Sequence, residues 1–182
     1  MNYATIKKYD IANGPGVRTS LFVSGCIHRC KNCFNQETWD PKYGSKFTEK
    51  EENEVIESLS PSYISGLTVL GGDPFCYDNA FHVAKLLRKV KREYPNKSIW
   101  VYTGYTLNGL MHVIENSKIR CGISYEYEML KYTDVLVDGP FIEEQKNLRL
   151  KFRGSINQRL IDVQKTIFDK DNKYMNVVLY NE

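Results

Sequence analysis

Apolar and polar residues alternate from Asn2 to Asp10, the two-residue period of a half-buried strand. Asn13-Gly14-Pro15-Gly16 then reads as a turn. Arg18 to Ser24 is a short apolar strand running into a group of cysteines. Thr48 is placed to cap a helix to about Leu59, with Glu51 completing a capping box. Gly66 to Leu70 predicts a buried strand that ends at Gly71-Gly72-Asp73-Pro74. A long helix is predicted from Asp78 to about Tyr94, with Phe81, Ala84, Leu87, Val90 and Tyr94 on one face. Ser98 to Tyr102 is a further strand, ending in Thr103-Gly104-Tyr105. Helices are predicted near Leu107 to Asn116 and around Tyr125 to Tyr132. Thr133 to Val137 is a strand ending in Asp138-Gly139-Pro140, and Leu160 to Val163 a last short one.

Strands bounded by glycine and separated by helices predict βαβ units, hence an α/β fold with a mainly parallel sheet. Chemistry in such sheets lies beyond the carboxyl ends of the strands. The cysteines, Gly-Gly-Asp-Pro, Thr-Gly-Tyr and Asp-Gly-Pro each follow a strand. One rim should therefore collect them all.

Composition excludes more than it identifies. The chain has 182 residues, 42% hydrophobic and 26% charged, with net charge +3. That size suits one domain with a real core. The balance asks for neither a nucleic-acid nor a membrane partner. Lys85, Arg88, Lys89, Lys91 and Arg92 read as the solvated face of one helix. No apolar run approaches the roughly 18 residues of a membrane span. Met1 to Lys8 lacks the apolar core of a signal peptide. A cytoplasmic location is predicted, so the five cysteines are thiols or metal ligands sooner than disulfides.

Three of them form a C-x3-C-x2-C run: Cys26, Cys30 and Cys33. A cubane 4Fe–4S cluster normally takes four thiolates, so three leave one iron open. Zinc is the competing metal, with His28 inside the loop, but structural zinc sites usually draw two ligand pairs from separate segments. No second pair is evident. Cys76 and Cys121 are isolated and read as packing residues, although Cys76 lies close behind Pro74.

C-x3-C-x2-C directly after a strand resembles the signature of the radical SAM superfamily, in which S-adenosylmethionine (SAM) chelates the open iron. The place before the last cysteine, often aromatic in that family, holds Asn32, with Phe34 following instead. Gly71-Gly72-Asp73-Pro74 resembles the family's Gly-Gly-Glu-Pro motif, with Asp73 in place of Glu. Glycines there admit a ligand to the backbone, and strand-end carbonyls accept from an ammonium group. Asp10 to Arg18, Phe22 to Cys26, Trp100 to Tyr105, Val135 to Phe141 and Arg153 to Gln158 together resemble, in order, the family that activates anaerobic ribonucleoside-triphosphate reductases. The likeness runs from about Asn2 to about Gln158.

The resemblance implies an incomplete (β/α) barrel over residues 1–160, with 161–182 an extension of unassigned role. It implies reductive cleavage of SAM at the cluster, and a radical that takes a glycine hydrogen from an anaerobic class III ribonucleotide reductase. A flavodoxin or similar low-potential donor would supply the electron. By the same resemblance Cys26, Cys30 and Cys33 hold the cluster, and Gly71, Gly72 and Asp73 hold the amino end of SAM. Asn32 and Phe34 contact adenine or simply pack the loop. Thr103, Gly104 and Tyr105 line the SAM site or not, and Asp138 contacts ligand or caps a strand end. Arg153 and Asn157 belong to a partner surface or to buried hydrogen-bonded structure. No side-chain general base is required, because the cofactor's radical is the abstracting agent. Three rivals stay open: an activase of another glycyl radical enzyme such as pyruvate formate-lyase, a small-molecule radical SAM enzyme such as a deazaguanine synthase, and a zinc-binding interaction module.

Overall fold

The computed structural model describes residues 1–76, 79–121, 124–171 and 176–181. Asp78, predicted to open a helix, and the side chain of Cys121 lie outside the described residues. The elements in chain order are β1 (Asn2–Asp10), β2 (Val17–Val23), β3 (Ser45–Lys46), α1 (Glu49–Ser58), β4 (Ile64–Gly71), α2 (Asn79–Glu93), β5 (Ser98–Tyr102), α3 (Leu107–Cys121), α4 (Tyr125–Tyr132), β6 (Val135–Asp138) and β7 (Arg159–Asp162).

The strands form one open seven-stranded sheet in the order β3-β1-β2-β4-β5-β6-β7. The four central strands, β2, β4, β5 and β6, are parallel. Both flanks are antiparallel: β1 on β2, β3 on β1, and β7 on β6. The parallel centre puts the carboxyl ends of β2, β4, β5 and β6 on one rim, where the four sequence motifs lie.

Alternation along the central strands accounts for the described helices packing on one face. Leu21, Val23, Leu67, Val69, Ile99, Val101 and Leu136 point one way, into the main core. There they meet Val55 and Ile56 of α1, Val83, Leu87 and Val90 of α2, Leu110 and Ile114 of α3, and Met129 and Leu130 of α4. Thr48 caps α1 with the full capping box, as the Thr-x-x-Glu spacing predicts. The core face of α2 is the expected one over Ala84, Leu87 and Val90, with Tyr94 packed against it, and it widens to Ala80, Val83 and Leu86. Phe81 alone departs: it is 47% exposed and packs edge-on against Tyr125.

The opposite face carries Trp100, Val135, Val137 and Leu160, flanked by Tyr102, Phe152 and Tyr180. No helix among the described residues covers it. Near the amino ends of the strands it holds Arg18, wholly buried. Its Nε donates to Thr68 Oγ1 (2.8 Å), Nη1 to Ser98 Oγ (2.9 Å), and Nη2 to the carbonyls of Leu67 and Ser98. Burial pulls its pKa down to about 10. Arg18 thus ties β2, β4 and β5 together and is a structural residue. Residues 178–180 return to this edge: Tyr180 N–H donates to Leu160 O, and its ring meets Trp100 at 5.2 Å. No helix among the described residues is long and apolar enough to cross a membrane.

Gly66 shows how tightly the parallel centre is drawn. A Cβ there would sit 1.8 Å from Ser98 O on β5. Gly66→Ala must push β4 and β5 apart, and a cost of about 3 kcal/mol is expected. Thermal melting should show Tm lower by about 10 °C; an unchanged Tm would mean the ladder has slack there.

Candidate functional site

The cysteine loop begins where β2 ends. Gly25 N–H donates to Thr38 O (2.7 Å) and Cys26 N–H to Trp39 O (3.1 Å), which clamps the two ends of the loop together. Between them the chain turns sharply, with Cys33 N–H donating to Cys30 O. Arg29 and Asn32 take left-handed backbone (φ 45° and 55°), a conformation asparagine tolerates better than most residues. That accounts for Asn32 on local grounds.

The three thiols of this loop are free and half-buried. Asn35 N–H donates to Cys33 Sγ (3.4 Å), and the backbone N–H groups of His28 and Arg29 near Cys26, and of Phe141 near Cys30, favour the thiolate against burial. Burial pushes the Cys26 thiol up to about 11 and raises that of Cys30. Such thiols are not poised as nucleophiles; they ionise when a metal binds. Three free thiols on one short loop, with backbone amides near each sulfur, suit an iron–sulfur cluster, whose potential depends on hydrogen bonds to sulfur among other factors.

Beside the loop, β4 ends in the Gly-Gly-Asp-Pro turn. Gly72 N–H donates to Val23 O (2.7 Å) and Asp73 N–H to Gly25 O (2.8 Å). The two loops touch backbone to backbone, since a Cβ on Gly72 would lie 2.6 Å from Gly25 O. The Asp73 side chain points down, into the protein, and is 1% exposed. Its carboxylate accepts from Phe75 N–H (2.9 Å), Thr103 Oγ1 (2.9 Å) and Gly104 N–H (2.9 Å).

A cavity of about 570 Å³ opens between these loops, in the range of small-molecule sites. Cys26, Cys30, Phe34, Gly71, Gly72 and Thr103 line it. Its floor is the helix-free face of the sheet, through Phe22, Leu70 and Tyr102. The structure therefore brings together most of the residues singled out from the sequence. Cys33 joins them through its turn with Cys30. Asn32 is exposed and lies outside the wall.

Asp138 lies at the end of β6, 1% exposed, with its carboxylate engaged by the chain itself. It accepts from Leu107 N–H (2.8 Å) at the start of α3 and pairs with the Arg159 guanidinium. The Arg-Gly-Ser-x-Asn-Gln run braces the same corner. Gln158 Oε1 accepts from Gly154 N–H, Gln158 Nε2 donates to Gly139 O, Arg153 Nη1 donates to Gln158 O, and Asn157 Nδ2 donates to Pro140 O. Of the two readings of this motif, hydrogen-bonded structure is the one observed. It also forms wall: Phe34 packs on Phe141 (5.3 Å), and both rings abut Gly154.

Sequence reasoning missed the place of His28. Its Nε2 is 2.8 Å from Asp73 Oδ2, off the line of a hydrogen bond, and its ring meets Tyr105 edge-on at 4.5 Å. Cys76 lies beneath, its thiol pushed up to about 12 by burial and by Asp73, with Ile27 N–H and the Tyr105 hydroxyl directed at its sulfur. The ligand atoms of His28, Asp73 and Cys76 lie within 4.8 Å of one another. Phe75 N–H, Thr103 Oγ1 and Gly104 N–H already occupy the Asp73 carboxylate, so the trio reads as a brace.

Comparison with known proteins agrees with the thiol loop. Residues 12–161 match the family model of a 4Fe-4S single cluster domain. The chain is 44% identical over 160 residues to the anaerobic ribonucleoside-triphosphate reductase-activating protein of Vibrio cholerae, covering 87% of this chain and 96% of that one. The protein of that name from Haemophilus influenzae is 42% identical, and that from Escherichia coli 38%, each over the same shares. Likeness of that degree across nearly the full length of both chains, over a fold that gathers three free thiols at one rim, means that the chain belongs to the family of anaerobic ribonucleoside-triphosphate reductase-activating proteins.

Proposed function

We propose that this protein is a radical SAM activase that installs a glycyl radical on an anaerobic class III ribonucleotide reductase. The observation that carries the reading is the shared cavity: a loop with three thiols and no fourth faces the open glycine edge of β4 across a space of ligand size. When bound, a 4Fe–4S cluster and SAM supply one electron and a cleaved sulfur–carbon bond, giving methionine and a 5′-deoxyadenosyl radical that takes a Cα hydrogen from the reductase glycine.

The chain's own residues position these groups. Cys26, Cys30 and Cys33 hold the cluster and leave one iron for SAM. Carbonyls at Gly71 and Gly72 accept from the ammonium group of SAM, and Asp73 fixes the turn that presents them. Phe34, Phe22 and Tyr102 give apolar surface to the adenosine moiety and exclude water. Thr103 lines the far wall. Asn32 sits outside the wall, so its contribution is to the turn that spaces Cys30 from Cys33. Residues 1–160 carry this site as an incomplete (β/α) barrel, whose open, helix-free side admits the reductase glycine loop; residues 161–182 extend it. A flavodoxin or similar low-potential donor feeds the cluster in the cytoplasm.

Anaerobic reconstitution with iron and sulfide, reduction, and EPR with and without SAM test the reading. A reduced 4Fe–4S signal that changes shape on adding SAM is expected, followed by a glycyl doublet when the reductase is added. Stoichiometric zinc without acid-labile sulfide would sink the proposal in favour of an interaction module. A SAM response with no doublet on the reductase would shift the activity to another substrate.

A further inference from the structure

We infer that His28 is a positioning residue that locks the cysteine loop to the two loops facing it, so that cluster geometry and SAM binding depend on one another. The inference rests on the function proposed above and extends it to a residue of the cavity wall.

The imidazole is wedged between three loops. Its Nε2 meets Asp73 of the Gly-Gly-Asp-Pro turn at 2.8 Å. Its edge meets the Tyr105 ring at 4.5 Å. Its face lies on Gly104, where a Cβ would come within 2.4 Å of His28 Cδ2. Gly104 does not take a left-handed backbone conformation here; what it supplies is room for the ring. On the other side of Asp73, Thr103 and Gly104 donate to the same carboxylate. Asp73 is thus the common anchor of three segments far apart in sequence.

What His28 holds in place is its own peptide. The backbone N–H groups of His28 and Arg29 stand near Cys26 and hold its pKa down against burial, and the Ile27 N–H does the same for Cys76. Arg29 is held in left-handed backbone (φ 45°), a conformation that costs energy unless its surroundings impose it. The imidazole is the one side chain of that stretch wedged against the opposing loops. Ile27 and Arg29 are exposed, whereas the His28 side chain is 16% exposed. Freed of its wedge, the peptide should relax and its N–H dipoles should drift from the sulfur. Those dipoles favour the more negative, reduced cluster, so their loss lowers the reduction potential. The Gly-Gly-Asp-Pro turn also loses one of its props, and SAM binding should weaken with it. Groups that orient metal ligands without touching the metal typically contribute 10- to 100-fold in affinity or activity.

The experiment compares reconstituted wild-type protein with His28→Ala, His28→Gln and Gly104→Ala, each normalised to cluster content. It measures cluster midpoint potential by redox titration and SAM affinity through the EPR change. His28→Ala should lower the potential and weaken SAM binding by about tenfold or more. Gly104→Ala keeps every polar group but pushes the ring out, and should shift both readouts the same way. His28→Gln, which returns side-chain bulk to the space between Asp73 and Gly104, should recover part of both. Should His28→Ala fail to assemble a cluster, Gly104→Ala against His28→Gln carries the same comparison. A wild-type SAM response left unchanged in His28→Ala and Gly104→Ala overturns the role of His28 alone. A wild-type cluster blind to SAM overturns the proposed function, and the coupling with it.

Discussion

Cys30→Ala is expected to give a folded protein that holds no stoichiometric cluster and activates no reductase above background. Stability and chemistry separate at this residue. Cys30 sits half-buried on a loop outside both hydrophobic clusters of the protein. Truncating it removes little apolar contact, so Tm of the cluster-free protein should move by no more than about 3 °C. On the proposed assignment the metal site has no reserve, because the loop offers three sulfurs and a cubane would need them all. Iron and sulfide analysis with the EPR spectrum reads the loss directly. Cys76→Ala is the informative contrast. Cys76 is buried beneath the loop, so its loss should lower Tm by a few degrees, consistent with about 1 kcal/mol, and leave the cluster intact. A full cluster in Cys30→Ala together with a lost cluster in Cys76→Ala would exchange their roles and refute the ligand assignment.

The contrast between those two cysteines also marks what the sequence can and cannot reveal. Cys26, Cys30 and Cys33 were legible because their relation is local: spacing alone puts three thiols on one turn. Gly71-Gly72-Asp73-Pro74 was legible for the same reason. The strands of the parallel centre were legible from period and glycine punctuation, and their carboxyl ends do share a rim. Direction at the sheet edge was not. Nothing in Arg159 to Asp162 says that a four-residue strand runs against its neighbour; the Asp138–Arg159 pair across β6 and β7 does, and it forms only on folding. On α2 the predicted stripe holds at Ala84, Leu87, Val90 and Tyr94 and fails only at Phe81. Ala80 and Val83 fit the space over the sheet, and the larger Phe81 ring turns outward onto Tyr125. The two-residue β3 and the π-turn over Gln164–Phe168 carry no periodic signal at all. The place of His28 stayed hidden because its meaning depends on Asp73, Gly104 and Tyr105, which come from two other strand ends.

Asp73 is where local and long-range information diverge furthest, and Asp73→Ala is expected to be the most destabilising change in the site. The family motif suggests a side chain that meets the ligand. The geometry makes it an internal acceptor: buried, with both oxygens taken by Phe75 N–H, Thr103 Oγ1 and Gly104 N–H. Alanine strands those donors. At about 1–3 kcal/mol for each buried group left unsatisfied, and with some relief from solvent entering the cavity, a loss on the order of 4 kcal/mol follows. Tm should fall by about 12 °C, before any cluster or SAM is added. Asp73→Asn should fall between wild type and alanine. It keeps the shape and one acceptor oxygen but turns an NH2 group toward at least one amide N–H. The two roles predict different experiments. A carboxylate that serves only the SAM ammonium group would leave the melting of the cluster-free protein unchanged and weaken SAM binding alone. A brace would lower Tm first and carry SAM affinity down with it, because Gly71 and Gly72 can present their carbonyls only while the turn below them is held. Thermal melts of cluster-free wild type, Asp73→Asn and Asp73→Ala decide between them, and the hydrogen-bond geometry commits to the second.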